Sequence, residues 1–363
     1  MKTLKITLAV LISFAVSAIS FAGELTVTGS AKATYSIRAG ESTTAALNSG
    51  KGIGIANEFS LGASGEAAGV SWTYRQDIDG ATVQDDAQIA LTYGSYGTVA
   101  INVSEGGNSS KYKWDTNVYA PGSDYGFAGS SAVSHKAGLK GSAWTNGNDI
   151  GQYANVQYHT PDGLLPSGTA VKIAFAPTAA KTENNSSNGS GAIATDGAEN
   201  AYQVQVSSAP VEGLALSASY YQEGMDRGTT SANDYEAYGI AGKYAVGPFT
   251  VGLGQFHVVP ATAKATEKGV RYFDNRSYGV SFNVNDALAV SYGYEESVQS
   301  SSNADENKVS NTNANIKSEI QALQAAYTIG GMTLSIANKE IDNFDYTEAK
   351  NASETIVSMA LAF

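Results

Sequence analysis

Glu24-Leu-Thr-Val-Thr-Gly-Ser-Ala-Lys-Ala-Thr-Tyr-Ser-Ile-Arg38 alternates without a break. The odd positions hold Leu25, Val27, Gly29, Ala31, Ala33, Tyr35 and Ile37, and the even positions hold Thr26, Thr28, Ser30, Lys32, Thr34, Ser36 and Arg38. A period of two puts the first set on one face of a strand and the second on the other. Apolar faces at the same period recur along the chain: Ile53/Ile55/Phe59/Leu61, Val70/Trp72/Tyr74, Ala87/Ile89/Leu91/Tyr93 and Val99/Ile101/Val103. Then follow Val156/Tyr158, Val171/Ile173/Phe175, Tyr202/Val204/Val206, Leu214/Leu216/Ala218/Tyr220, Tyr238/Ile240/Tyr244 and Phe249/Val251/Leu253. Tyr278/Val280/Phe282, Leu288/Val290/Tyr292/Tyr294, Leu323/Ala325/Tyr327, Met332/Leu334/Ile336 and Val357/Met359/Leu361/Phe363 bring the count to sixteen.

The connections carry a second pattern. Short turns fall near residues 65–69, 94–97, 161–168, 208–213, 245–248, 283–287 and 330–331; between them lie longer polar stretches near 39–50, 79–85, 106–150, 178–200, 223–234, 260–270, 297–315 and 342–354. Seven turns and eight loops in alternation are what sixteen antiparallel strands need when the turns share one rim and the loops the other. The expected fold is therefore all-β, a transmembrane antiparallel barrel with long outer loops and short periplasmic turns. Aromatic residues on the apolar face support it. Tyr93, Tyr158, Tyr244, Phe249, Phe282, Tyr327 and Phe363 fall at the turn ends of their strands; Tyr35, Tyr74, Phe175, Tyr202, Tyr220 and Tyr294 fall at the loop ends. Two girdles about an Ile/Val/Leu/Ala band are the pattern of a wall set in lipid. Closing the sheet also removes the unpaired edges.

Composition agrees. Charged residues make up 15% of the 363, below the usual share for a soluble domain, yet beyond the N-terminus no second apolar run is long enough for a membrane helix. Residues 1–22 have Lys2 and Lys5, an apolar core from Ile6 to Ile19, and Ser20-Phe21-Ala22 before Gly23: the three parts of a cleavable secretory leader, with the barrel in 23–363. Removing those two lysines from 22 bases leaves 20 against 34 acids, a formal charge of −14. That excess and the absence of a basic cluster argue against nucleic acid as a partner. With no cysteine, stability after export cannot come from disulfides.

The final residues, Glu354-Thr-Ile-Val-Ser-Met-Ala-Leu-Ala-Phe363, set Thr355, Val357, Met359, Leu361 and a terminal Phe363 on one face. This resembles the C-terminal strand of bacterial outer-membrane proteins that the barrel-assembly machinery recognises. Together with the leader, the strand count, Asn155-Val-Gln-Tyr-His-Thr-Pro161 before a short turn, and the long stretch after the fifth strand, the chain resembles the general porins of Gram-negative bacteria over nearly all of its mature length. The resemblance implies a trimer of separate water-filled pores in the outer membrane, in contact with lipid and lipopolysaccharide. It also implies a third outer loop folded inward to narrow each pore, and passive diffusion of ions and small hydrophilic solutes. In that family, acid on the loop faces bases on the wall.

A lumen bounded by sixteen strands is too wide for side chains alone to fill. Inward parity gives Lys32, Arg38, Arg75, Lys172 and Lys243 as lining bases and Glu58 and Asp77 as lining acids, among small polar residues such as Thr26, Ser60, Asn155, Gln157, Ser217 and Ser277. Residues 106–150 are the expected constriction, far longer than an ordinary connection. They offer Trp114, Asp115, Tyr119, Asp124, Tyr125 and Phe127, aromatics to anchor and carboxylates to point. Here the chain departs from the family, because Lys111, Lys113, Lys136 and Lys140 balance Asp115, Asp124 and Asp149. Arg38 and Arg75 also read as rim charges on lipopolysaccharide phosphate. Gly29, Ala31 and Ala33 on the outward face of the first strand, beside the outward amide Asn57, read as a subunit interface.

Other chemistry is sparse. His135, His159 and His257 are the only histidines, with no His-Glu-x-x-His pair or Gly-x-Ser-x-Gly elbow; His159 and His257, on strands, read as ordinary lumen histidines, and Gly50-Lys51-Gly52 departs from a phosphate loop at both ends. Neither an enzyme, a cofactor nor a metal site is expected. The acids Asp85/Asp86, Asp305/Glu306 and Asp342/Asp345 read as solvated loop charge. The competing readings are a channel selective for one solute, a secreted β-rich adhesin or surface protein, and a barrel hydrolase with a Ser/His pair assembled by folding.

Overall fold

The computed structural model describes residues 25–41, 50–79, 86–124, 149–177, 198–225, 234–259, 269–302, 316–346 and 348–363. The leader, and Tyr125 and Phe127 of the long loop, lie outside these residues. Sixteen strands run in order: β1 (Leu25–Glu41), β2 (Gly50–Ala67), β3 (Val70–Asp79), β4 (Ala87–Thr92), β5 (Thr98–Val103), β6 (Asn155–His159), β7 (Ala170–Ala176) and β8 (Ala198–Ser208). They continue as β9 (Leu214–Met225), β10 (Tyr235–Val246), β11 (Phe249–Val259), β12 (Gly269–Asn283), β13 (Leu288–Ser302), β14 (Lys317–Ile329), β15 (Met332–Asp342) and β16 (Asn351–Ala362). Each pairs antiparallel with the next, and β1 pairs with β16, so the sheet closes into a barrel.

The register shows why this sequence closes. Directly opposed residues share a face, and Ala31 opposes both Asn57 of β2 and Leu361 of β16, so the alternation of the first strand is carried round the seam. Outward apolar residues are bared, among them Ile53, Ile55, Ile240, Leu253, Leu323 and Ile336. A free-standing soluble domain rarely bares apolar surface in so continuous a band. The turn rim is tight: Ala68 (φ 52°) and Gly69 (φ 77°) both take left-handed backbone, the conformation a two-residue hairpin needs to match strand twist.

The aromatic girdles form as expected. At the turn end Phe249 and Phe282 stack 4.8 Å apart. At the loop end Tyr202, Tyr220, Tyr238, His257 and Tyr272 follow one another across β8 to β12 with centroids 4.9–6.3 Å apart. His257 therefore faces outward, where its Nδ1 meets Asp274 at 2.6 Å, and is not the lumen histidine that its place on a strand first implied. Parity already required this, since 257 continues the outward series 249, 251, 253.

The seam is locked by the last residue. Gly29 N–H donates to the Phe363 carbonyl at 2.8 Å and Phe363 N–H donates back at 3.0 Å. The Phe363 ring then lies over Gly29, where a Cβ would come within 2.8 Å of it, and packs 5.6 Å from Phe59. Gly29→Leu is expected to lower the urea midpoint of unfolding by an overpacking penalty of about 1–3 kcal/mol. Combining it with Phe363→Ala should recover part of that loss, as a double-mutant cycle would read.

Candidate functional site: the inward loop and the lumen wall

Past β5 the chain turns into the barrel and runs across the inner face of the wall. Its root is held by two inward residues of β6. Asn155 Nδ2 donates to the carbonyls of Glu105 and Ile150, one on each limb of the loop, and Gln157 Nε2 donates to the Gly106 carbonyl at 2.5 Å. On β8, Gln203 Oε1 accepts from Asn108 N and Ile150 N, while Gln205 Nε2 donates to the carbonyls of Asn108 and Ser109. Ser110 then meets Ser217 and Ser219 of β9 at 2.6 and 2.8 Å.

Further on, Trp114 is fully buried and clusters with Ala241 and Phe256. Val118 N donates to Ser291 Oγ of β13 at 2.9 Å. Gln324 of β14 takes the amides of Tyr119 and Ala120 on Oε1 and returns Nε2–H to the Ala120 carbonyl at 2.6 Å. Ser123 N donates to Glu295 Oε1 at 3.0 Å. The described part of the loop thus spans the wall from β6 to β14 and is inward-folded, as expected. The inward residues Asn155, Gln157, Ser217 and Ser277 are buried beneath it or beside it, so they do not line open water. The loop's unpaired amides and carbonyls require partners, and Asn155, Gln157, Gln203, Gln205, Ser219, Ser291, Glu295 and Gln324 of the wall supply them.

The charged residues fall into three groups. On β15, β16 and β1, Lys339, Glu354 and Arg38 stand in cross-strand register, with Arg38 Nε 2.6 Å from Glu354 Oε1. Arg38 is therefore held on the inner face by a wall carboxylate. On β2 to β5, Arg75 is ringed by acids: Asp77 at 2.7 Å, Glu58 and Glu105 both at 3.9 Å. Asp77 is buried and also accepts from Ser60 Oγ at 2.5 Å, whereas half of Arg75 and Glu58 is open to the lumen. Asp77, Asp86 and Glu105 offer carboxylate oxygens within 4.8 Å of one another, and the single Arg75 guanidinium, paired with Asp77 and near Glu105, offsets only part of their charge.

The third group rides on or faces the loop. Lys32 Nζ lies 5.4 Å from the Tyr119 ring, so β1 touches the loop across the lumen. Lys113 is exposed, Lys172 on β7 is partly buried, and Lys243 on β10 is exposed. Asp115 is turned back on its own loop, accepting from Asn117 N and Nδ2 at 2.9 and 2.7 Å. The side chains of Asp124 and Asn57 lie outside the described atoms. On the outward face Ala31 and Ala33 are partly covered, and Val357, Met359 and Leu361 are bared beside them. Gln203, Gln205, Ser291, Glu295 and Gln324 were missed as loop anchors. Their signal was an amide, hydroxyl or acid at inward parity, which reads equally well as lumen lining.

No protein-family model matches the sequence, and neither does any of the curated proteins compared with it. Solved structures do match in fold. An anion-selective porin from Comamonas acidovorans aligns over 94% of this chain and 100% of its own, with a TM-score of 0.63 at 13% identity. The outer-membrane protein OmpT of Vibrio cholerae in its trimer form aligns over 94% and 100%, with 0.62 at 13%. The outer-membrane channel DcaP of Acinetobacter baumannii aligns over 94% and 97%, with 0.60 at 12%. The chain therefore has the closed sixteen-strand barrel fold of bacterial outer-membrane porins.

Gln324 makes three of the loop's hydrogen bonds. Gln324→Leu is expected to cost about 2–4 kcal/mol of local stability at roughly 1 kcal/mol per lost bond. Hydrogen exchange at the amides of residues 118–120 reads the effect directly, and Gln324→Glu, which keeps the acceptor, should retain most of the protection.

Proposed function

We propose that this protein is an outer-membrane porin: a water-filled diffusion channel for ions and small hydrophilic solutes, with residues 1–22 removed on export and 106–150 forming the constriction. The observation that carries the reading is the loop bound along the inner wall from β6 to β14. A loop so placed narrows a lumen while leaving the arc of β2 to β4 open, on which lie Glu58 and Arg75, and Lys32 of β1 meets the loop at Tyr119 beside that opening. We propose Lys32, Arg38, Glu58, Arg75, Asp77, Asp115, Asp124, Lys172 and Lys243 as the charges that shape passage. No reacting group is required, because solute moves down its own gradient and selectivity follows from width and fixed charge.

A trimer in lipid and lipopolysaccharide, inserted by the barrel-assembly machinery through Val357, Met359, Leu361 and Phe363, completes the proposal. Wall height supports subunit contact. Strands β4 to β7 contain six, six, five and seven residues, which at a 40° tilt rise only about 13–18 Å, short of an apolar band about 25 Å tall. Partner subunits covering that low side would relieve the mismatch, and the Ala31/Ala33 stripe with Gly29 and Asn57 adjoins it through β2 and β3. At Gly29 an intrachain cause, the Phe363 ring, also acts.

Planar-bilayer recording tests the function. The purified protein should give discrete, ohmic conductance steps with weak cation preference, since Arg75 is outnumbered by its acidic neighbours. Glu58→Gln should lower the cation-to-anion permeability ratio about two- to three-fold, the effect of one unit charge about 7 Å from the ion path in water, screened by physiological salt and acting with opposite sign on the two ions. Absence of conductance would refute the channel.

A further inference from the structure

Glycine inside a strand weakens it and is found where another backbone comes close. Three such glycines stand in direct cross-strand register on the lumen face: Gly252 of β11 opposes Gly279 of β12, which opposes Gly293 of β13. The row continues into Lys243 of β10 on one side and Ala322 of β14 on the other. Gly254, two residues along β11, widens the bare patch.

Residues 114–117 of the loop lie on this floor. A Cβ at Gly252 would strike the Trp114 carbonyl oxygen, and one at Gly279 would strike Thr116 Oγ1. At Gly293 it would meet Asn117 Oδ1 at 2.5 Å, and at Gly254 it would meet the Phe256 ring at 2.6 Å and, beyond it, the Trp114 ring at 2.9 Å. At the lumen glycines of β2 and β10 the nearest atoms belong to the wall and not to the loop: Thr26 Oγ1 at Gly62, a Phe256 ring atom at Gly239 and, in ordinary contact at 3.4 Å, Ser36 Oγ at Gly52. The neighbouring rows of side chains form banks. On one side Ser291 and Gln324 share a cross-strand row and bind residues 118–120; on the other, Ser217 and Glu295 bind Ser110 and Ser123. The wall is a trough, side-chain-free where the loop's bulk sits and hydrogen-bonding along its edges.

We propose that this glycine floor sets the calibre of the pore. Gly252, Gly254, Gly279 and Gly293 are positioning residues: they never meet solute, and they act by letting the loop lie flush against the wall. The loop is accordingly a fixed constriction. A side chain on the floor lifts residues 114–117 toward the axis, because a close-packed contact transmits displacement. The proposal rests on the channel reading.

Single-channel recording with polyethylene glycol exclusion tests it. Gly279→Ala is expected to lower unitary conductance by roughly a quarter to a half, for a loop shift of about 1 Å into a narrow section, and to lower the exclusion limit. Adding Thr116→Ala removes the atom the new methyl strikes and should restore both. Gly52→Ala should change neither. If Gly279→Ala does not assemble, Gly293→Ala with and without Asn117→Ala gives the same readout. Unchanged or raised conductance in the single variant, or failure of the second substitution to restore it, overturns the proposal. A wild-type protein without conductance refutes the channel instead, and the trough is then judged by hydrogen exchange at residues 114–120, which Gly279→Ala should accelerate and Thr116→Ala should slow again.

Discussion

An unpaired backbone N–H or C=O in hydrocarbon costs several kcal/mol, so a chain that crosses lipid as strands must close on itself. The rest of this structure follows from that constraint. Closure sets the alternation, since each strand then has one face outside and one inside, and it demands a seam. The seam is built from the first strand and the last residue: paired hydrogen bonds between Gly29 and Phe363, and a ring resting where Gly29 has no side chain. It also produces a cavity, because sixteen strands enclose more space than their inward side chains occupy. A structure so obliged to have a hole must then control its width.

Control comes from the chain itself. The loop after β5 brings unpaired backbone groups into the lumen, and the wall meets them with amides and hydroxyls at inward positions of β6, β8, β9, β13 and β14. Trp114, the largest side chain among the loop's described residues, is buried against the wall rather than offered to solute. The groups that face the remaining opening are of both signs. Arg75 sits among carboxylates on one arc, and lysines lie on the loop and on β7 and β10. This arrangement differs from the acid-loop, basic-wall division that the family resemblance implied.

The strands, their order and their facing were legible because a period of two survives in isolation: Leu25 to Ile37 needs no tertiary context to declare its apolar face. The alternation of turns and loops was legible for the same reason. The loop's course was not. Asn155, Gln157 and Ser217 look alike whether water or protein lies over them, and only the coordinates distinguish an anchor from a lining residue. The glycines of β11 to β13 were invisible for a related cause. Gly252, Gly279 and Gly293 are far apart along the chain, and their single row depends on the register of two hairpins. His257 was misplaced although its parity was available, which shows that counting along the strand outweighs residue type.

The central claim is that the odd face of β11 meets lipid while the even face meets protein and lumen. The native chain has no cysteine, so single cysteines introduced in turn at residues 249 to 257 and spin-labelled in reconstituted bilayers report each position without background. The account predicts oxygen accessibility that is high at 249, 251, 253 and 255 and low at 250, 252, 254 and 256. Uniform accessibility along the strand, or a labelled protein that stays in buffer without detergent or lipid, would contradict it.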